Sequence, residues 1–108
     1  MQKLHSYRLV IAYDGTGFHG WMENEGVRTV QGVLRESVQV LTNGSVEVEG
    51  SSRTDTGDHA RGQLVRVRLC DEIEPEYLHR SLQGITPRDI EVVSCEAAEA
   101  DWHPRFNA

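Results

Sequence analysis

Two stretches of strict alternation, 45–49 (SVEVE) and 63–69 (QLVRVRL), constrain this chain more than any other feature of it. A period of two sends successive side chains to opposite faces of a strand. If the two stretches pair antiparallel, Glu47 falls opposite Arg68 and Glu49 opposite Arg66 on one face. Val46, Val48, Val67 and Leu69 then share the other face. Opposite charges in direct register favour that pairing over its neighbours. The connection between the strands, 50–62 (GSSRTDTGDHARG), is too long for a tight turn and rich in residues that favour turns and loops. It displays Arg53, Asp55, Asp58 and His59. A rigid hairpin carrying a long polar loop is a common setting for a functional site, and the site is expected here.

The remaining elements follow from pattern and punctuation. Segment 7–13 (YRLVIAY) is apolar, β-branched or aromatic and stops at Asp14-Gly15, which predicts a central strand. Thr29 can cap a helix in which Val30, Val33, Leu34, Val38 and Leu41 recur at helical spacing, ending near Thr42, Asn43 and Gly44. Pro75, flanked by Glu74 and Glu76, opens a second helix through Leu78 and Leu82 to about Gly84. Segment 89–95 (DIEVVSC) predicts a fourth strand. The order strand, helix, strand, strand, helix, strand is that of an α+β, ferredoxin-like βαββαβ domain: a four-stranded antiparallel sheet with two helices on one face. Arg66 and Arg68 are then expected on the open face, where a nucleic acid could be read. Cys70 and Cys95 are placed on the third and fourth strands, with the first strand between them. At roughly 9 to 10 Å they are too far apart for a disulfide, and their spacing fits no metal or redox motif.

With 108 residues the chain is expected to form a single domain, 1–108. A hydrophobic fraction of 38% and a charged fraction of 26% suit a soluble protein, and no apolar run reaches the length of a membrane span. The first residues, MQKLHSYRLV, lack the apolar core of a signal peptide, so a cytoplasmic location is expected. A net charge of -6 argues against indiscriminate nucleic-acid binding, which rests on phosphate neutralisation. The distribution matters more. Residues 71–101 hold nine acids against Arg80 and Arg88, whereas 51–70 hold Arg53, Arg61, Arg66 and Arg68 against Asp55 and Asp58. Positive charge is concentrated at the loop and the strand after it.

The segment DGTGFHGW (14–21) supports two readings: a turn whose aromatics cap the core, or a glycine backbone open to a ligand with Phe18, His19 and Trp21 ready to stack on a base. In the central loop, Asp55 two residues from Arg53 is expected to stay ionised, as a nucleophile or a stabiliser of developing positive charge requires. The alternative is an Arg–Asp pair that pins a turn. Asp55, Asp58 and His59 as metal ligands would lack the spacing of zinc motifs.

Four stretches resemble the tRNA pseudouridine synthase A family: YDGTGFHGW, RTVQGVLRE, GSSRTDTGDHARGQ and WHPRFNA, in that order between Tyr7 and Ala108. The resemblance implies an isomerase that converts uridine to pseudouridine in the anticodon arm of tRNA, without metal or organic cofactor. Asp55 matches the family's catalytic aspartate. Arg53 matches the arginine inserted where the flipped nucleotide stood, and Arg61, Arg66 and Arg68 are expected phosphate contacts on charge alone. The chain departs from the family's usual loop at Thr56 and Asp58, and at Met22, where Gln is common. The resemblance also implies a homodimeric full-length enzyme with a second, related domain that supplies a base-stacking tyrosine. On this reading the chain is the N-terminal half, its C-terminal half absent, and little activity is expected of it alone. The alternative is a non-catalytic RNA-binding or dimerising domain on the same sheet.

Overall fold

The computed structural model describes residues 4–51, 57 and 59–105. Its elements are β1 (His5–Tyr13), a single 3₁₀ turn (Gly15–Gly17), α1 (Val30–Gln39), β2 (Val46–Gly50), β3 (Ala60–Leu69), α2 (Pro75–Ile85) and β4 (Ile90–Ala98). The four strands form one antiparallel sheet in the order β2-β3-β1-β4, the expected α+β, ferredoxin-like arrangement. The hairpin register is the one the charges favour: Val46 pairs with Leu69, Glu47 with Arg68, Val48 with Val67 and Glu49 with Arg66.

One face of the sheet carries the core. Tyr7, Leu9, Ile11 and Tyr13 of β1 alternate with more exposed neighbours and pack with Val48, Val65, Val67, Leu69, Ile90 and Val92. Val30, Leu34 and Val38 of α1 and Leu78 and Leu82 of α2 close over them in a single cluster. Each fully buried aliphatic or aromatic side chain contributes about 1.5–3 kcal/mol. An exposed ion pair contributes about 0–1 kcal/mol. The apolar face therefore holds the domain together, and the charged face chiefly sets strand register.

Both helices start as their sequences dictate. The Thr29 hydroxyl accepts from the Gly32 amide at 3.2 Å, and the next amides, those of Val30 and Gln31, donate to the carbonyls of Gly20 and Trp21 at 3.2 and 2.9 Å. The donors that a helix start leaves orphaned are thus satisfied, which ties the glycine-rich segment to α1. Pro75 opens α2 at a position where no amide is needed. The helical repeat of α1 ends at Gln39, short of the expected stop. There the chain tightens, with Leu41 and Thr42 donating to the carbonyls of Val38 and Gln39.

The strands run longer than alternation alone predicts. β3 starts at Ala60 rather than Gln63, and β4 runs to Ala98 rather than Cys95. Both carry a bulge. Ile11 pairs with Gln63 but Tyr13 with Ala60, leaving an extra residue at Arg61–Gly62, and on the β4 side Val10 and Ile11 pair with Ser94 and Val92, leaving Val93 over. Cys70 lies one residue beyond β3 instead of within it, while Cys95 sits in β4. Both are free thiols.

Candidate active-site groove and the paired arginines of the sheet

β1 runs antiparallel to both neighbours, so its C-terminal end meets the first residues of β3 and β4. Three connections converge at that end: the 3₁₀ turn after β1, the last residues of the central loop before β3, and the approach to β4. The Asp14 amide donates to the Asp89 carbonyl at 3.0 Å. Gly15 donates its amide to His59 Nδ1 at 2.8 Å, and Gly57 donates to the Phe18 carbonyl at 3.3 Å. Accepting at Nδ1 assigns the neutral His59 its proton at Nε2. The glycine-rich turn and the central loop are therefore stitched together at two points. Asp14 lies 3.2 Å from the same His59 nitrogen. The Thr16 hydroxyl and amide hold the Asp14 carboxyl below the usual range.

The two readings of DGTGFHGW separate here. Phe18 is 1% exposed and Trp21 3%, so both rings cap the core. Neither can stack on a base without being drawn out. Phe18 meets Tyr13 edge-on with ring centres 6.3 Å apart, and the Arg28 guanidinium lies 4.1 Å over its ring. Arg28 also grips Asp89 with two bonds of 2.8 and 3.0 Å and donates to the Gly17 carbonyl at 3.2 Å. That fork lowers the Asp89 carboxyl and raises Arg28. Trp21 packs so closely on the end of β2 that a Cβ on Gly50 would come within 2.8 Å of its ring.

A groove of about 370 Å³ opens at this end of the sheet, lined by Tyr13, Asp14, His59, Arg61, Arg88 and Glu91 among others. The bulge accounts for Arg61: an extra residue in β3 bends the strand and re-aims the exposed side chain at its start. Arg53, Asp55 and Asp58 lie outside the described residues; of the described loop residues, His59 lines the groove, Gly57 is bonded to Phe18 and Ser51 to Leu64.

The other expected arginines lie elsewhere. Arg66 and Arg68 are on the sheet face opposite the helices, as the alternation requires, and both are paired. Arg66 donates to Glu49 at 2.6 Å and to the Trp102 carbonyl at 3.1 Å, and its side chain is only 9% exposed. Arg68 bonds Glu47 through Nε at 3.0 Å and through its terminal nitrogen. Arg8 completes the ladder with Glu96 at 2.5 Å and lies 5.9 Å from the Trp102 ring. His103 reaches the second Glu49 oxygen at 2.7 Å. The chain after β4 thus folds back across the face that the sequence left open. Arg61 is brought to the groove; Arg66 and Arg68 are not.

Arg88 joins Arg61 at the groove although charge counting did not single it out. Its signal was topological: once β1 lies between β3 and β4, the residues just before both strands must share one end.

A family model described as tRNA pseudouridine synthase matches residues 9–107 of the chain. The chain belongs to the tRNA pseudouridine synthase family. Curated relatives agree. A tRNA pseudouridine synthase A of Lacticaseibacillus casei (strain BL23) is 40% identical over 103 residues, covering 94% of this chain and 42% of the relative. One from Solibacter usitatus (strain Ellin6076) is 41% identical over 101 residues, with the same shares. A tRNA pseudouridine synthase A 1 of Protochlamydia amoebophila (strain UWE25) is 37% identical over 106 residues, covering 97% of this chain and 41% of the relative. The chain therefore spans about 42% of the length of these family members. Among the described residues no group of three or more His, Cys, Asp and Glu side chains could hold a metal ion, and no helix is long and apolar enough to cross a membrane.

Proposed function

We propose that this chain is the part of a tRNA pseudouridine synthase that carries the catalytic aspartate, and that with a second domain it isomerises uridine to pseudouridine in the anticodon arm of tRNA. The observation that carries the reading is the family match over residues 9–107, which includes the whole central loop. Asp55 is the proposed catalytic carboxylate. Glycosidic cleavage proceeds with positive charge developing at the sugar, and an ionised carboxylate near that carbon stabilises or captures it. Detaching, turning and rejoining the uracil through C5 needs neither metal nor organic cofactor. The target must leave the base stack first, and Arg53 is proposed to occupy the space it vacates.

Of the proposed phosphate contacts, Arg61 is supported by its exposure at the groove. Arg66 and Arg68 would reach a phosphate only by leaving Glu49 and Glu47. The anticodon arm as target, a homodimeric full-length protein and a cytoplasmic setting come into this reading from the family resemblance. So does the need for a second domain, which the share of the relatives' length supports.

The test is tritium release from tRNA carrying 5-tritiated uridine, since rejoining through C5 expels that hydrogen. The chain fused to the C-terminal part of a curated relative should release tritium, and the chain alone should release little. A correctly folded fusion that binds tRNA and releases none would overturn the proposal in favour of a non-catalytic RNA-binding domain.

A further inference from the structure

Of the nine described arginines, five are paired with carboxylates, and of the four that are not, Arg61, Arg80, Arg88 and Arg105, only Arg61 and Arg88 line the groove. Arg8, Arg28, Arg35, Arg66 and Arg68 each hold a carboxylate: Glu96, Asp89, Glu23, Glu49 and Glu47 respectively. Arg61 and Arg88 have no carboxylate partner among the described residues, both are exposed, and both line the groove at the end of β1. Because β1 lies between the strands they precede or begin, they stand about two strand spacings apart, roughly 10 Å. Among the described residues no carboxylate occupies these guanidiniums, and an Arg presents its donors in a fork that suits a planar anionic group.

From this we propose that Arg88 is a second phosphate contact for the RNA, facing Arg61 across the groove so that the backbone of one strand runs over the end of β1. The inference rests on the RNA-modifying reading and extends it to a residue of the acidic half of the chain. The surrounding acids are consistent with it. Asp89 is neutralised by the Arg28 fork, and Asp14 is turned toward the Thr16 amide and His59. Glu91 is exposed at the groove with no cationic partner among the described residues, so it opposes a phosphate held by Arg88. Two substitutions at one groove should therefore act in opposite directions.

The experiment is tRNA binding to the 108-residue chain by fluorescence anisotropy across a salt series. Each phosphate contact contributes about 0.7–0.9 to the slope of log affinity against log salt. Arg88→Gln should make the slope shallower by that amount and weaken binding about five- to eightfold at ~0.1 M salt. Arg88→Lys should keep the slope, and Glu91→Gln should tighten binding. Arg80→Gln is the control: Arg80 is also exposed and unpaired among the described residues, but it lies on α2 beside Tyr77 and Ser81. Its loss should change nothing. If Arg61→Gln flattens the slope and Arg88→Gln does not, or if Arg80→Gln costs as much as Arg88→Gln, the assignment of Arg88 is wrong while the RNA reading stands. A wild-type chain with no salt-dependent affinity for tRNA would remove both.

Discussion

Glu49 accepts from Arg66 at 2.6 Å across β2 and β3, on the sheet face turned away from both helices. The pair sits under the chain that follows β4, with the Trp102 carbonyl on the guanidinium and His103 on the carboxylate. Removing one partner of a buried pair costs about 3–5 kcal/mol. The Glu49 side chain is 40% exposed, so solvent recovers part of that cost. Glu49→Gln should destabilise the chain by about 1–2 kcal/mol in urea unfolding. A change under about 0.3 kcal/mol would show that Arg66 is adequately held by the Trp102 carbonyl alone.

The same carboxylate makes stability depend on acid. Burial pushes the Glu49 carboxyl up, but its bonds from Arg66 and His103 outweigh burial and hold it below its ordinary value of 4.5. Glu23 is lowered by Arg35, and Asp89 by Arg28. A carboxyl with a depressed folded-state pKa contributes stability above its unfolded value that is lost as pH falls through the folded one. The urea midpoint should thus be flat near neutrality and drop below about pH 4.5, with Glu49→Gln showing a smaller drop than wild type. Equal pH slopes in the two proteins would contradict this assignment.

Gly50 and Gly62 bracket the central loop and should respond differently to a methyl group. A Cβ at Gly50 would come within 2.6 Å of Gln63 Nε2 and 2.8 Å of the buried Trp21 ring. At Gly62 the nearest atom is Val10 Cγ1 at 3.8 Å, an ordinary contact, and no left-handed φ is required there. Gly50→Ala should cost about 1–3 kcal/mol as an overpacked site, and Gly62→Ala should stay within about 0.5 kcal/mol. Thermal melts of the two variants decide it, and equal losses would sink the packing argument.

Cys95 faces the core from β4, where burial first and the Glu96 charge second push its thiol up to about 12. Only the thiolate is nucleophilic, so at pH 8 its reactive fraction should be about a thousandfold below that of a thiol with a pKa of 9. Iodoacetamide labelling followed by peptide mapping should leave Cys95 unmodified in the folded chain. Labelling at the rate of the unfolded chain would place it in solvent.

Much of the sheet was legible in advance because the clues were local. Alternation with opposite charges at Glu47, Arg68, Glu49 and Arg66 specified a register, and Thr29 and Pro75 announced helix starts through backbone chemistry that does not depend on distant partners. What the sequence left open or missed was decided by remote contacts or by a break in the strand period. Glycines around Phe18 and Trp21 say that the chain turns, not which side of it is wet; burial against Tyr13 and Gly50 decided that. Charge and alternation put Arg66 on the open face, yet Trp102 and His103, more than thirty residues later, cover it. The three early residues of β3 could not be read because a bulge at Arg61 breaks the period. Arg88 needed the strand order before it could be seen beside Arg61. Asp55 lies outside the described residues, and its proposed role rests on the sequence and the family match.

The proposed chemistry depends on that aspartate, and the most direct measurement is tritium release by the fusion protein with Asp55→Ala set against wild type, both checked for equal tRNA affinity. Release should fall by about 10³-fold or more while binding is kept. Undiminished release from the Asp55→Ala protein would contradict it.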